Sequence, residues 1–120
     1  MRKAYQDPSL DYGFETETLS LMSFQMAQIM FHLENLNYKK AFHIIRVLYV
    51  STRARIGKHL PEDFDKKVLK LNKDIYGSSG LSESVLYDNT LVVWGLLAEG
   101  LVKSDLMFRT KIDPSEIVLH

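Results

Sequence analysis

The chain has 120 residues, with 15 Lys and Arg against 15 Asp and Glu, four His and no Cys. That length suits one domain with a single core, and 46% hydrophobic with 25% charged residues is typical of a globular protein. The lack of Cys excludes disulfides, thiolate catalysis and Cys-ligated metal sites within this chain. Residues 1–8 have no apolar run behind their charges, so we expect no secretory signal and a cytoplasmic location.

The first predicted helix spans about residues 15–36. Its uncharged run from Thr18 to Leu33 is shorter than the roughly 20 residues of a membrane span, so we expect a helix of the folded domain. Apolar residues at helical spacing cover two opposite faces, and both should be buried. One face is predicted to be core or an adaptable methionine-rich binding face: Leu19, Met22, Met26, Ile29, Met30 and Leu33. On the other face, Phe24 and Phe31 are predicted to form an interface with a second chain.

The second and third predicted helices span about residues 38–55 and 62–76. Gly57 and Pro61 end the second helix, and a proline followed by two acids opens the third. The short turn at 35–37 predicts that the first two helices form an antiparallel hairpin. The expected inward residues are Ala41, Ile44, Ile45, Leu48 and Thr52 in the second helix, and Phe64, Val68, Leu71 and Ile75 in the third.

The fourth predicted helix spans about residues 82–99 and ends at Gly100. Its predicted core stripe is Val85, Leu86, Val92, Val93, Leu96 and Leu97, and its predicted interface residues are Tyr87, Leu91 and Trp94. Residues 101–112 alternate between apolar and polar, which predicts a short β-hairpin or extended tail. We therefore expect a mostly α, four-helix bundle-like single domain over residues 1–120, forming a homodimer.

Charge is distributed unevenly along the chain. Residues 1–37 carry a net charge of −3, residues 38–73 of +7, and residues 74–120 of −4. The basic segment indicates a surface for an acidic partner, either a nucleic acid backbone or an acidic protein. In the alternative interpretation, the acidic ends neutralise the basic middle within the molecule or in a dimer. The predicted binding residues are Arg46, Arg53, Arg55, Lys58, Lys66, Lys70 and Lys73.

Metal and cofactor chemistry have little support in the sequence. His32 and His43 are nearly equidistant from the turn at Asn37 and, with Glu34, could approach one another. The four histidines lack metal-ligand spacing, and we interpret this pair as polar residues at helix edges. There is no glycine-rich phosphate loop and no nucleophile elbow, so we predict a binding module without cofactor or metal.

The segment from Arg53 to His59 resembles the R-x(4–6)-H signature of HEPN-domain ribonucleases, which are small helical bundles and commonly dimeric. By that resemblance, Arg53 would stabilise the scissile phosphate and His59 would take part in proton transfer.

Residues 81–112 are similar to the second half of winged-helix DNA-binding domains, with the third helix preceding the fourth as in a helix-turn-helix. However, a recognition helix presents basic and amide side chains, and the fourth predicted helix has no Lys or Arg. A structural assembly subunit is the remaining alternative.

Overall fold

The computed structural model describes residues 16–104, with side chains from residue 21 onward. This part of the chain consists of four packed helices and has no strand, so the prediction of an all-α fold is confirmed. The helices are α1 (Thr16–Glu34), α2 (Tyr38–Ile56), α3 (Phe64–Tyr76) and α4 (Glu83–Lys103), and a 3₁₀ turn (Gly57–His59) follows α2.

A three-residue turn joins α1 to α2 as the predicted hairpin. Leu36 adopts a φ of 60°, in the left-handed region that L-residues seldom visit, and this reverses the chain. The Asn35 side-chain amide donates to the Phe31 carbonyl at 2.8 Å, and the Asn37 side chain accepts from the Lys40 backbone N–H at 3.4 Å. The turn therefore satisfies orphan backbone groups at both helix ends.

The core lies around α2, which packs against both α1 and α4, while α3 packs on α4. The first stripe of α1 is core, as predicted: Met22, Met26, Ile29 and Leu33 are buried, and Met30 is half-buried. In α2 the buried face is broader than predicted, since Phe42, Tyr49 and Ile56 join the expected residues inside. Their rings and branched side chains fill the space between α2 and the helices packed on it.

The predicted end of α4 is wrong. The helix passes through Gly100 and ends at Lys103, so Leu101 to Lys103 are helical and the hairpin expected at 101–112 is wrong there. Residues 105–112 lie outside the described part of the chain. Gly100 is small because the chain after α2 crosses α4 at this point: an added Cβ would lie 2.6 Å from Leu60 Cδ2. Packing, and not helix termination, explains this glycine.

The core face of α4 is also rotated from the predicted one. Trp94, Ala98 and Leu101 are completely buried, whereas Val85 and Val92 are 40% and 54% exposed. Trp94 is thus a core residue and presents no surface to a second chain, which corrects its prediction as an interface residue. The error arises because α4 is apolar on nearly every side, so periodicity alone does not select the buried face.

By length and composition, one helix among residues 16–104 could also cross a membrane. It is α4, with 21 residues and a mean hydropathy of 1.3. Of its most apolar stretch, 44% is buried inside the folded chain, where this helix contributes to the core.

Two glycines of α4 provide opposite tests of this packing. An added Cβ at Gly95 meets nothing within 4 Å, so Gly95→Ala should raise the free energy of unfolding by about 0.5–1 kcal/mol through helix propensity. Gly100→Ala gains the same propensity but forces the end of the Leu60 side chain to move, so it should leave the free energy of unfolding unchanged or lower it by up to about 2 kcal/mol. Urea denaturation measures both changes. Equal stabilisation by the two substitutions would contradict a tight crossing at Gly100.

Candidate functional site

Several of the exposed basic residues lie on α3. Phe64, Leu71 and Ile75 face the core as predicted, with Val68 half-buried beside them. Since residues three and four apart share a helix face, the opposite side of α3 presents three exposed lysines on successive turns: Lys66, Lys70 and Lys73. The amphipathic pattern of α3 therefore places these three predicted binding residues, called the lysine line below, in solvent.

Ion pairs along α3 engage only part of this charge. Lys70 Nζ lies 2.9 Å from Asp74 Oδ2, and Lys67 Nζ lies 3.4 Å from Asp63 Oδ2. Within residues 21–104, neither Lys66 nor Lys73 has a carboxylate within ion-pair distance. Both ends of the lysine line thus keep an uncompensated positive charge in this part of the chain.

Arg53 connects the end of α2 to the start of α3. Its Nη2 lies 3.2 Å from Asp65 Oδ2, and its guanidinium carbon is 5.8 Å from the centre of the Tyr49 ring. The Tyr49 hydroxyl donates to the other oxygen of Asp65. Burial of the Tyr49 phenol, helped by the hydrogen bond and charge of Asp65, raises its pKa from 10.0 to about 12. The Arg53 side chain is 62% exposed and stays accessible to a partner.

Arg46 belongs to the packing between α2 and α3 more than to the open surface. Its guanidinium carbon lies 5.3 Å from the Phe42 ring centre and 5.6 Å from that of Tyr76. Its Nη1 donates to Asn72 Oδ1 at 2.9 Å, and its Nε is buried without a hydrogen-bond partner. The planar guanidinium fits between two rings in a way that an ammonium would not, so we assign Arg46 to the α2–α3 contact.

The remaining predicted basic residues lie where the chain leaves α2. Arg55 is half-buried and Lys58 is exposed in the 3₁₀ turn. Lys58 lines two neighbouring clefts, one of about 360 Å³ that also contains Arg53, and one of about 380 Å³ that also contains His59 and Lys103. Arg53 and His59, the pair of the HEPN resemblance, line neighbouring clefts that share Lys58, Leu60 and Pro61.

A smaller cleft of about 180 Å³ lies between α3 and α4. Its lining includes Lys70 and Asp74 from α3 and Asn89 and Val92 from α4. Asn89, which falls within the apolar stripe of its helix, is half-buried and polar at this opening. This location removes the cost of burying an amide in the core.

The predicted interface residues separate into two groups. Phe24 and Phe31 of α1 are 60% and 61% exposed. Tyr87 and Leu91 of α4 are half-buried, and the Tyr87 hydroxyl donates to the Leu33 carbonyl at 2.8 Å. Tyr87 is thus occupied in holding α4 to the end of α1, and of the predicted interface residues only Phe24 and Phe31 are well exposed.

The possible ligand trio near the hairpin turn is dispersed. His32 is half-buried with its ring edge-on to Phe31, 5.6 Å between ring centres, and His43 is exposed on α2. No group of three or more His, Asp or Glu side chains is placed to hold a metal ion within the described residues.

Sequence reasoning missed two exposed apolar residues beside the lysines. Val50 of α2 and Leu69 of α3 are 72% and 66% exposed. Leu69 could have been found, because at helical spacing it falls between Lys66 and Lys73 and away from Phe64 and Leu71. The exposure of Val50 could not be found in this way, because it depends on how α2 packs against α3.

No protein-family model matches the chain, and neither the curated proteins nor the solved structures contain a significant match. Functional inference therefore rests on the residues and geometry described above.

The Tyr49–Asp65 contact predicts a dependence of stability on alkaline pH. Because folding raises the pKa of Tyr49, its stabilising contribution is complete below pH 10 and is lost as the pH rises towards 12. Tyr49→Phe should lower the free energy of unfolding at pH 8 by about 1 kcal/mol through loss of the hydrogen bond. The difference between wild type and variant should then shrink above pH 10, measured by urea denaturation across pH. A difference that stays constant from pH 8 to 11.5 would contradict the assignment.

Proposed function

We propose that the protein is a small non-enzymatic binding module that contacts an acidic partner and works as a homodimer. The contact surface, called the basic surface below, comprises Arg53, Lys58, Lys66, Lys70 and Lys73. The observation that carries the proposal is the lysine line on the solvent face of α3, in a segment whose net charge is +7. Arg46 and Arg55, both half-buried, are left out of this surface.

Few of the described carboxylates neutralise the basic surface. Asp65 and Asp74 pair with Arg53 and Lys70, and both pairs have at least one well-exposed partner, so each is worth little in energy. Glu99 pairs with Lys103, outside the basic surface. Within residues 21–104, the acidic residues thus leave Lys58, Lys66 and Lys73 without a carboxylate partner, and this supports binding to an acidic partner through that surface.

The outer face of α1 supports the homodimer. Phe24 and Phe31 are seven residues apart and share one face with Leu21, which is 54% exposed. No charged residue occurs between positions 21 and 33, so two copies can approach without charge repulsion. A fully buried aromatic side chain covers about 150–250 Å². At about 60% exposure, the two rings together offer roughly a quarter to a third of the ~800 Å² that each partner contributes to a standard interface. A two-fold pair would bury the same face of each copy.

Salt dependence tests the basic surface. We expect binding to labelled single-stranded DNA and to polyglutamate that weakens as salt increases, because phosphate or carboxylate contacts release counterions. Lys66→Gln/Lys73→Gln should weaken binding to single-stranded DNA about tenfold or more at 50 mM salt and reduce the log–log slope by about 1.4. The matched control is Lys39→Gln/Lys40→Gln, which removes two exposed lysines at the start of α2.

The control should bind almost as wild type does, because its lysines lie outside the basic surface. Absence of binding to every polyanion at 50 mM salt would contradict the proposal, and so would equal losses in the two double variants.

Light scattering tests the homodimer separately. Phe24→Gln/Phe31→Gln should convert a dimer to a monomer while the helix content measured by circular dichroism stays constant, since both side chains are exposed. The control, Val85→Gln/Val92→Gln, also replaces two exposed apolar residues seven positions apart, on α4, and should remain dimeric. A specific dimer should form at or below about 200 µM. A wild-type chain that stays monomeric up to that concentration would contradict this part of the proposal.

A further inference from the structure

Two side-chain contacts fix how α2 and α3 run past one another. Arg46 bonds to Asn72 at one level, and Arg53 pairs with Asp65 at another. From the first contact to the second, the α2 residue lies seven positions later in the chain and the α3 residue lies seven positions earlier. The two helices are therefore antiparallel, and their contacts stay in register over two turns. The surface between these two levels is called the α2–α3 seam.

Two exposed apolar side chains occupy the solvent side of this seam. Val50 lies one turn after Arg46, and Leu69 lies one turn before Asn72, so both fall between the two contact levels. Their side chains are 72% and 66% exposed, although most other apolar side chains of α2 and α3 are buried or half-buried. The seam thus presents an apolar spot in a stretch otherwise rich in charge.

Cations surround that spot. Lys66 and Lys73 stand three residues before and four residues after Leu69, one turn away on each side. Arg53 stands three residues after Val50 on the neighbouring helix and is exposed. A partner seated on Leu69 would therefore meet a lysine at each end and, along one edge, the exposed ion pair of Arg53 with Asp65.

We infer that the acidic partner is a protein segment, an acidic amphipathic helix whose apolar face covers Val50 and Leu69. The inference rests on the proposed function and narrows it. A phosphate backbone gains nothing from an isopropyl and an isobutyl group, and base stacking needs an aromatic platform. The exposed aromatic on this side of α3 is Tyr76, two turns from Leu69, and its ring already lies 5.6 Å from the Arg46 guanidinium carbon. An amphipathic helix places an apolar anchor between flanking carboxylates, and that pattern complements the seam.

The seam also sets the spacing expected in the partner. Lys66 and Lys73 are seven residues apart, about 10 Å along α3. A helix lying along α3 would match them with two Glu residues seven apart and a Leu between them, three or four residues from each. The basic surface would then contribute charge and on-rate, while Leu69 would contribute selectivity among acidic partners.

Peptide binding measured by fluorescence anisotropy tests the inference. The probe is a labelled 18-residue helix with Glu-x-x-Leu-x-x-x-Glu on one face, and its control is a peptide of the same composition with the Leu residues distributed around the helix. The full chain should bind the first about tenfold more tightly than the second. Leu69→Gln leaves every charge unchanged and should reduce binding of the first peptide about tenfold, with no change for polyglutamate or single-stranded DNA.

Leu36→Gln is the matched control, because Leu36 is 70% exposed on the α1–α2 turn, far from the seam. It should bind as wild type does. If single-stranded DNA binds more tightly than the peptide and Leu69→Gln has no effect on either, the partner is a nucleic acid; the inference is then overturned and the proposed function stands. If the chain binds none of these polyanions at 50 mM salt, the proposed function itself fails.

Discussion

The packing of α3 on α4, fixed in register by its side-chain contacts to α2, determines which side chains this protein presents to solvent. Once Phe64, Leu71 and Ile75 are buried, the 3.6-residue period directs Lys66, Lys70 and Lys73 outward. Burial alone would allow α3 to slide along α2 by a turn. The arginine contacts at Asn72 and Asp65 oppose such a shift, because moving by one turn would separate both pairs.

Arg46 contributes more to this register than to net stability. Its guanidinium gains from two ring faces and one amide, but its Nε is buried without a hydrogen-bond partner, which costs roughly 1–3 kcal/mol. Replacing such a group by an apolar side chain is often neutral in free energy. What the replacement would lose is the directional bond from Arg46 Nη1 to Asn72 Oδ1, which ties α3 to one level of α2. The charge at this position therefore selects one packing of α3.

The sequence predicted elements well where one helix face was clearly different from the other. The ends of α1, α2 and α3 lie within two residues of the predicted positions, and the buried stripe of α3 was correct because its opposite face is charged. α4 is apolar almost all round, so the choice between Val92 and Trp94 as the inward residue depended on neighbouring helices. Arg46 was predicted to be on the surface because a charged residue usually is, and only the rings that approach it in space explain its burial.

The outer face of α1 and the basic surface can each bind a partner at the same time. α1 packs chiefly on α2 and makes little contact with α3, so its outer aromatic face and the basic surface occupy different parts of the molecule. A two-fold dimer formed through Phe24 and Phe31 would leave both copies of the basic surface open. Two linked sites bind a partner with repeated acidic segments far more tightly than either site alone, provided the linker spans both. Dimerisation would therefore raise affinity without any new contact on α3, and a weak individual seam would be sufficient for tight assembly.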